Sequence, residues 1–238
     1  MRIVLTANPQ LQLETLFCLN SRGRIISTRE PQPSPSPSFM LIRGASTCAW
    51  AVAADVDDER ASALAALAAQ EHPSTAWDQP PRYAQRYQDL LPRGAVRWGP
   101  AFAFPQHVEA TGDSFLDVVA VDDEALLESH FSGWVAGEIA AGRGPCMAVS
   151  EGERAGGHAV SICFCARRWT EAAEAGVETA AAFRGRGYAP RVTAAWANAV
   201  RSIGLAPIYS TDWSNRASLA VARKLQLIPF AIDWSISR

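Results

Sequence analysis

The sequence predicts an α/β fold in two units, and three observations carry that prediction. The first is composition. In 238 residues, 48% apolar and 19% charged side chains are ordinary for a globular chain, long enough for one large domain or two small ones. The second is alternation. From Ser114 to Ile236, short runs that favour strands alternate with segments of helical period. The third is a strand, a glycine-rich turn and a helix in direct succession from Glu174 to Ile203. The two units are expected at 1–112, a smaller N-terminal α/β unit, and 113–238.

Composition also excludes some classes. A net charge of −2 gives no electrostatic reason to expect nucleic acid. No apolar run is long enough to span a bilayer, and the N-terminus lacks the apolar core of a signal peptide. The five cysteines show no zinc spacing, so reduced thiols and a cytoplasmic location are expected. The four histidines show no metal or triad spacing, and no metal is expected.

In the N-terminal unit, Pro31 to Ser38 is a short proline/serine tract and reads as a surface loop. Phe39 to Ile42 and Cys48 to Ala53 read as strands. Asp57 and Asp58 open an alanine-rich helix to about Gln70, acidic where the helix dipole favours it. Tyr83 to Leu91 reads as a further short helix and Ala101 to Phe104 as a strand. Trp77, Tyr83, Tyr87 and Trp98 are candidates for an acceptor pocket, with core or rim positions as the alternative.

In the C-terminal unit, Leu116 to Val121 reads as a strand, followed by a helix from Asp122 through Leu126, Leu127, Phe131 and Trp134 to about Ala140. Met147 to Glu151 and Ala159 to Ala166 form a hairpin around the Gly156-Gly157 turn signal. Glu174 to Thr179 is the next strand. From Tyr188, apolar residues at Val192, Ala195, Trp196, Ala199, Val200 and Ile203 mark one helical face. Ile208 to Thr211 is a strand, Ser214 or Asn215 caps a helix to about Leu225, and Phe230 to Ile236 closes the chain as a strand.

The turn between Thr179 and Tyr188 carries the chemistry. Glycines let backbone approach a ligand, and the first helical N–H groups and the dipole attract an anion. Arg184 and Arg186 add positive charge. A Walker loop needs Gly-Lys-Ser/Thr, which is absent. A dinucleotide fingerprint needs a third glycine, where this chain has Pro190, tolerable in a first helical turn. What remains is Arg184-x-x-Gly187-x-Ala189.

That segment resembles the Arg/Gln-x-x-Gly-x-Gly/Ala motif of the GNAT superfamily of acyl-CoA-dependent N-acyltransferases. Asn215-x-x-Ser218 followed by Ala-x-Lys-Leu resembles the family's second motif, with Gln226 and Leu227 in place of Gly-Phe. The element order over about 113–238 is similar to the GNAT fold, which implies a mixed central sheet flanked by helices. The family usually adds a second helix early and one more strand at the end. Glu-x-Gly-Val-x-Thr and the cysteine-bearing strand before it look most like the zwittermicin-resistance type.

The resemblance implies acetyl-CoA (coenzyme A) as co-substrate and residue roles at the matching positions. Gly185, Gly187, Tyr188 and Ala189 would present amides to the pyrophosphate beside Arg184 and Arg186. Val177, Glu178 and Thr179 would hold the pantetheine arm, and Asn215 and Ser218 would approach the coenzyme. Glu174 is the expected catalytic base, with a solvated strand-end carboxylate as the equal alternative and Glu178 as a weaker candidate. The tyrosine that many members use as acid is replaced by Ala222, leaving Tyr209 or water. Cys163 and Cys165 line the acceptor site or are core. The function expected is transfer of an acetyl group to a primary amine of a small molecule by direct attack. The rivals are a non-catalytic acyl-CoA-binding regulatory module and a protein N-acetyltransferase.

Overall fold

A computed structural model describes residues 6–91, 94–109, 118–127, 131, 133–151 and 158–237. The expected strand start at Leu116, the Gly156-Gly157 turn and the 112/113 boundary lie outside the described residues. In chain order the elements are α1 (Pro9–Leu16), β1 (Phe17–Leu19), β2 (Ile25–Thr28), β3 (Phe39–Gly44), β4 (Cys48–Val52), α2 (Asp58–Ala68), α3 (Ala84–Leu90) and β5 (Ala95–Ala103). Then come β6 (Val118–Ala120), β7 (Met147–Glu151), β8 (His158–Arg168), β9 (Ala172–Thr179), α4 (Tyr188–Ser202), β10 (Ala206–Ser210), α5 (Arg216–Lys224) and β11 (Ile228–Ser237).

Among the described residues, nine strands form one mixed sheet in the order β4-β3-β11-β5-β10-β9-β8-β7-β6. Every neighbouring pair is antiparallel except β9 and β10, which α4 connects as a β-α-β unit. β3, β4 and β5 from the N-terminal half are strands of this same sheet. β5 lies between β10 and β11 and pairs antiparallel with both.

Local chemistry explains most of the elements. Asp57 caps α2 by accepting from Arg60 N, and Asp58 and Glu59 sit in its first turn. α4 buries Val192, Trp196 and Val200 completely against β8, β9 and β10, about 1.5–3 kcal/mol of transfer free energy for each such side chain. α1 covers the opposite face of the sheet, with Leu13 and Leu16 packed on Met40, Ile42, Ala101 and Ala231. The sequence reading passed over α1, β1 and β2, although Asn8 accepting from Leu11 N ahead of Pro9 is a cap that the residues do announce.

The helix expected over 122–140 does not form in the described part of that range. Only Glu124–Leu127 makes a 3-10 turn, and turns follow to residue 142. Gly137 adopts φ +91°, and the Glu124 carboxylate accepts from the backbone N–H groups of Gly137 and Ile139. A side chain that takes these N–H groups competes with the helical ladder.

Three of the four aromatic residues considered for a pocket, Tyr83, Tyr87 and Trp98, are packing residues, while Trp77 is half-buried and does not line the cleft described below. Tyr87 is fully buried, donates to Glu71 and stacks against Phe39 and Trp234, while Tyr83 and Trp98 pack on the same cluster.

Candidate functional site

The site begins where two strands part. Ala172, Ala173 and Glu174 of β9 lie opposite Ala206, Pro207 and Ile208 of β10, and the pairing then ends. Beyond that point Tyr209 and Ser210 stay paired to β5, while Ala175 to Thr179 stay paired to β8. The backbone edge of Ala175–Thr179 that faces β10 therefore has no strand partner among the described residues. An edge of this kind can accept an extended, amide-bearing ligand as an added strand.

A cleft of about 720 Å³ occupies the wedge, within the range of small-molecule sites. Its walls are the end of β9, the loop into α4, the start of α4, Tyr209 and one side of α5. Of the residues expected to bind the coenzyme, Val177, Glu178, Thr179, Arg184, Gly185, Gly187, Tyr188, Ala189, Asn215 and Ser218 line it. Arg186 does not: its guanidinium lies over the Phe183 ring at 5.0 Å and donates to Ala182 O.

The loop is shaped for an anion. Gly185 and Gly187 hold φ near +80° (+80° and +82°), a left-handed conformation that favours glycine. Gly187 is the N-cap of α4 and brings no side chain to its first-turn N–H groups. Arg184 donates Nε to Thr179 O at 3.1 Å, tying the loop to the end of β9. Across the cleft, Asn215 caps α5 by accepting from Ser218 N at 3.1 Å. Lys224 adds a second cation to the lining, one that sequence reasoning missed. Its signal was present, because Ala217, Ala220, Val221 and Lys224 follow the i, i+3, i+4, i+7 spacing of one helix face.

Glu174 lies apart from the cleft lining. It is 2% exposed; Ser210 Oγ donates to its Oε1 and Arg167 donates to its Oε2. A β-bulge at Ala166 brings Arg167 rather than Ala166 opposite Glu174, and Arg167 also pairs with Glu30. The two carboxylates hold the guanidinium charge more firmly than usual, against the cost of burial. Sequence reasoning assigned neither Arg167 nor Ser210 a role. Glu178, on the same side of β9, does line the cleft, and its Oε1 accepts from Gly133 N at 2.6 Å.

Tyr209 is buried at the root of the cleft, its hydroxyl 3.3 Å from Ser218 O. Burial pushes its phenol up to about 12, so it stays protonated at neutral pH. Cys163 and Cys165 pack under α4 in the core and take no part in the cleft. Burial raises all three C-terminal thiols, Cys146 to about 12 and Cys165 to about 11. Among the described residues, no helix is long and apolar enough to cross a membrane, and no group of three or more His, Cys, Asp or Glu side chains is placed to hold a metal ion.

Residues 121–228 match the model of the family described as GNAT acetyltransferase. No curated protein matches the chain. Solved structures similar to it include a GNAT-family protein from Novosphingobium aromaticivorans, 20% identical with a TM-score of 0.46 over 60% of this chain and 66% of its own. An acetyltransferase of the GNAT family from Colwellia psychrerythraea is 18% identical, with a TM-score of 0.45 over 64% of this chain and 62% of its own. A GCN5-related N-acetyltransferase-like protein from Streptococcus suis is 16% identical, with a TM-score of 0.46 over 84% of each chain. This chain spans less than two thirds of the first two.

Proposed function

We propose, from the match of residues 121–228 to the GNAT acetyltransferase family, that this protein transfers an acetyl group from acetyl-CoA to a primary amine. The observation that carries the proposal is the wedge. β9 and β10 part after three paired residues, and the cleft between them ends at the loop of Gly185 and Gly187. The edge of β9 at Val177 to Thr179, which no strand covers among the described residues, suits a chain of amides, and the start of α4 with Arg184 and Lys224 suits a pyrophosphate.

In the reaction the amine nitrogen forms a bond to the thioester carbon, the carbon–sulfur bond breaks, the amine loses a proton and the thiolate gains one. Backbone N–H groups at this edge of β9 would stabilise the developing oxyanion. Tyr209 is the group suited to protonate the thiolate, since it lines the cleft and its phenol holds its proton. Ala222 is buried on the inner side of α5 and has no proton to give. Direct attack fits the cysteines, whose thiols are buried and raised away from the thiolate form.

Two carboxylates are candidates for the base. Glu174 would serve only through a relay rather than by touching the amine, because Arg167 and Ser210 engage both its oxygens and neither Glu174 nor Ser210 lines the cleft. Glu178, which lines the cleft, is the second candidate. The engaged state of Glu174 is also what favours the rival, a binding module that holds acyl-CoA without turning it over. A small-molecule acceptor is part of the proposal.

Isothermal titration with acetyl-CoA tests the binding step. Wild type should bind, and Gly187→Glu, which sets a carboxylate at the α4 N-terminus, should lose at least tenfold in affinity. Binding that survives Gly187→Glu unchanged would remove the anion loop from the proposal. Binding without transfer to any of a panel of amines would leave the binding module.

A further inference from the structure

Away from the cleft lining, α1 and β11 meet through one pair of polar side chains. Gln12 is fully buried, and its Nε2 donates to Asp233 Oδ2 at 2.8 Å. The remaining oxygen of each group, Gln12 Oε1 and Asp233 Oδ1, is buried and has no hydrogen-bond partner. The Asp233 residue keeps partial exposure, but its Oδ1 keeps none. Two orphaned acceptors on two groups already joined by one hydrogen bond are an expensive arrangement if the carboxyl is ionised, because each forfeits its hydration with no return. One proton removes both deficits. An amide and a carboxylic acid are complementary: N–H donates to one carboxyl oxygen, and the acid O–H donates back to the amide oxygen.

We propose that Asp233 carries a proton in the folded protein near neutral pH and that its Oδ1–H donates to Gln12 Oε1, closing a reciprocal acid–amide pair that clamps α1 onto β11. The charged groups around it agree. On β9, Glu174 repels a charge on Asp233; on β8, Arg167 attracts one but is already shared by Glu174 and Glu30. The neighbours of Asp233 across β3 and β5 are Ile42 and Gly99, which bring no charge. Burial, the largest influence, pushes the Asp233 carboxyl up to about 7. A neutral Asp233 also leaves the Arg167 guanidinium to Glu174 and Glu30. The clamp thus doubles as a proton-dependent latch between the first helix and the last strand.

Its sign follows from linkage. The native state holds a proton that the unfolded chain releases near the ordinary aspartate value of 3.8, so stability falls as pH rises from there through about 7 and is level above. Asp233→Asn keeps a reciprocal pair, amide to amide, without the titration.

The test uses the whole chain. Infrared difference spectra of wild type against Asp233→Asn should show a protonated-carboxyl stretch at pH 6 that fades as pH passes about 7. Gln12→Leu should shift that stretch to higher frequency, because the acid loses its acceptor. In thermal unfolding, Asp233→Asn should outlast wild type at pH 8.5 by about 4 °C or more, with a smaller gap at pH 5. No protonated-carboxyl stretch in wild type at pH 6 overturns the proposal, as does a stretch that Gln12→Leu leaves unmoved. Should Asp233→Asn not fold, the pH titration of the wild-type stretch and its response to Gln12→Leu decide the question.

Discussion

Ser210 on β10, two residues beyond the last residue of that strand paired to β9, donates its hydroxyl to the carboxylate of Glu174, the last residue of β9 paired to β10. The bond spans the root of the wedge, so it helps to set where the strands part. Arg167 holds the other oxygen of the same carboxylate.

Glu174→Gln should therefore act on stability as well as on turnover. Removing one partner of a buried pair leaves an under-compensated charge, which costs about 3–5 kcal/mol where nothing else remains, and less here because Glu30 stays on Arg167. Ser210→Ala, which removes one hydrogen bond to a charged group, should cost about 1.5–3 kcal/mol. Denaturant unfolding of both variants measures this. A Glu174→Gln protein as stable as wild type but slow in transfer would mark Glu174 as a proton acceptor alone.

Gly187 and Gly185 give a second expectation. With φ at +82° and +80° and nothing within 4 Å of an added Cβ, the obstacle to a side chain is the backbone conformation and not space. Gly187→Ala should lose about 1–2 kcal/mol of stability, measured by denaturant unfolding, with acetyl-CoA affinity reduced less than in Gly187→Glu. An alanine variant as weak in binding as the glutamate one would mean that loop geometry, rather than charge, governs the anion site.

These two sites differ in how plainly the sequence announces them. The loop and its cleft are contiguous: strand, glycines and helix face follow each other within 174–203, where local periods are readable. The setting of Glu174 is assembled from afar. Its partner Arg167 is placed by a bulge, and that arginine's second carboxylate, Glu30, is 137 residues away in sequence. No local pattern encodes such a pairing. The same holds for β5, whose partners β10 and β11 lie more than a hundred residues later, so its insertion beside the last strand follows from long-range pairing alone. The failed helix after Asp122 has another cause, since Glu124 competes for backbone N–H groups that a periodicity count assigns to the helix.

The cysteines bear on the chemical route. Cys146, Cys163 and Cys165 are buried, and burial raises their thiols, so little thiolate exists at neutral pH. A thiol reagent at pH 7.5 should modify them only on unfolding, and no acetyl-enzyme should be found by mass spectrometry after incubation with acetyl-CoA. Rapid acetylation of Cys163 in the folded protein would replace direct attack by a two-step route.

Tyr209 offers the sharpest test of transfer itself. Tyr209 lines the cleft, its hydroxyl donates to Ser218 O at 3.3 Å, and burial pushes its phenol up to about 12. The phenol is protonated across the working range, as a proton donor to a departing thiolate must be, and the raised value makes it a weaker acid than an exposed tyrosine. Tyr209→Phe keeps the ring that packs against Phe102 and Phe104 and removes only the proton. Transfer should slow by about 10²-fold, at the low end for a general acid, while acetyl-CoA binding by titration stays within about twofold. Loss of binding together with transfer would instead assign the hydroxyl to the shape of the cleft. Unchanged transfer would leave protonation of the thiolate to water.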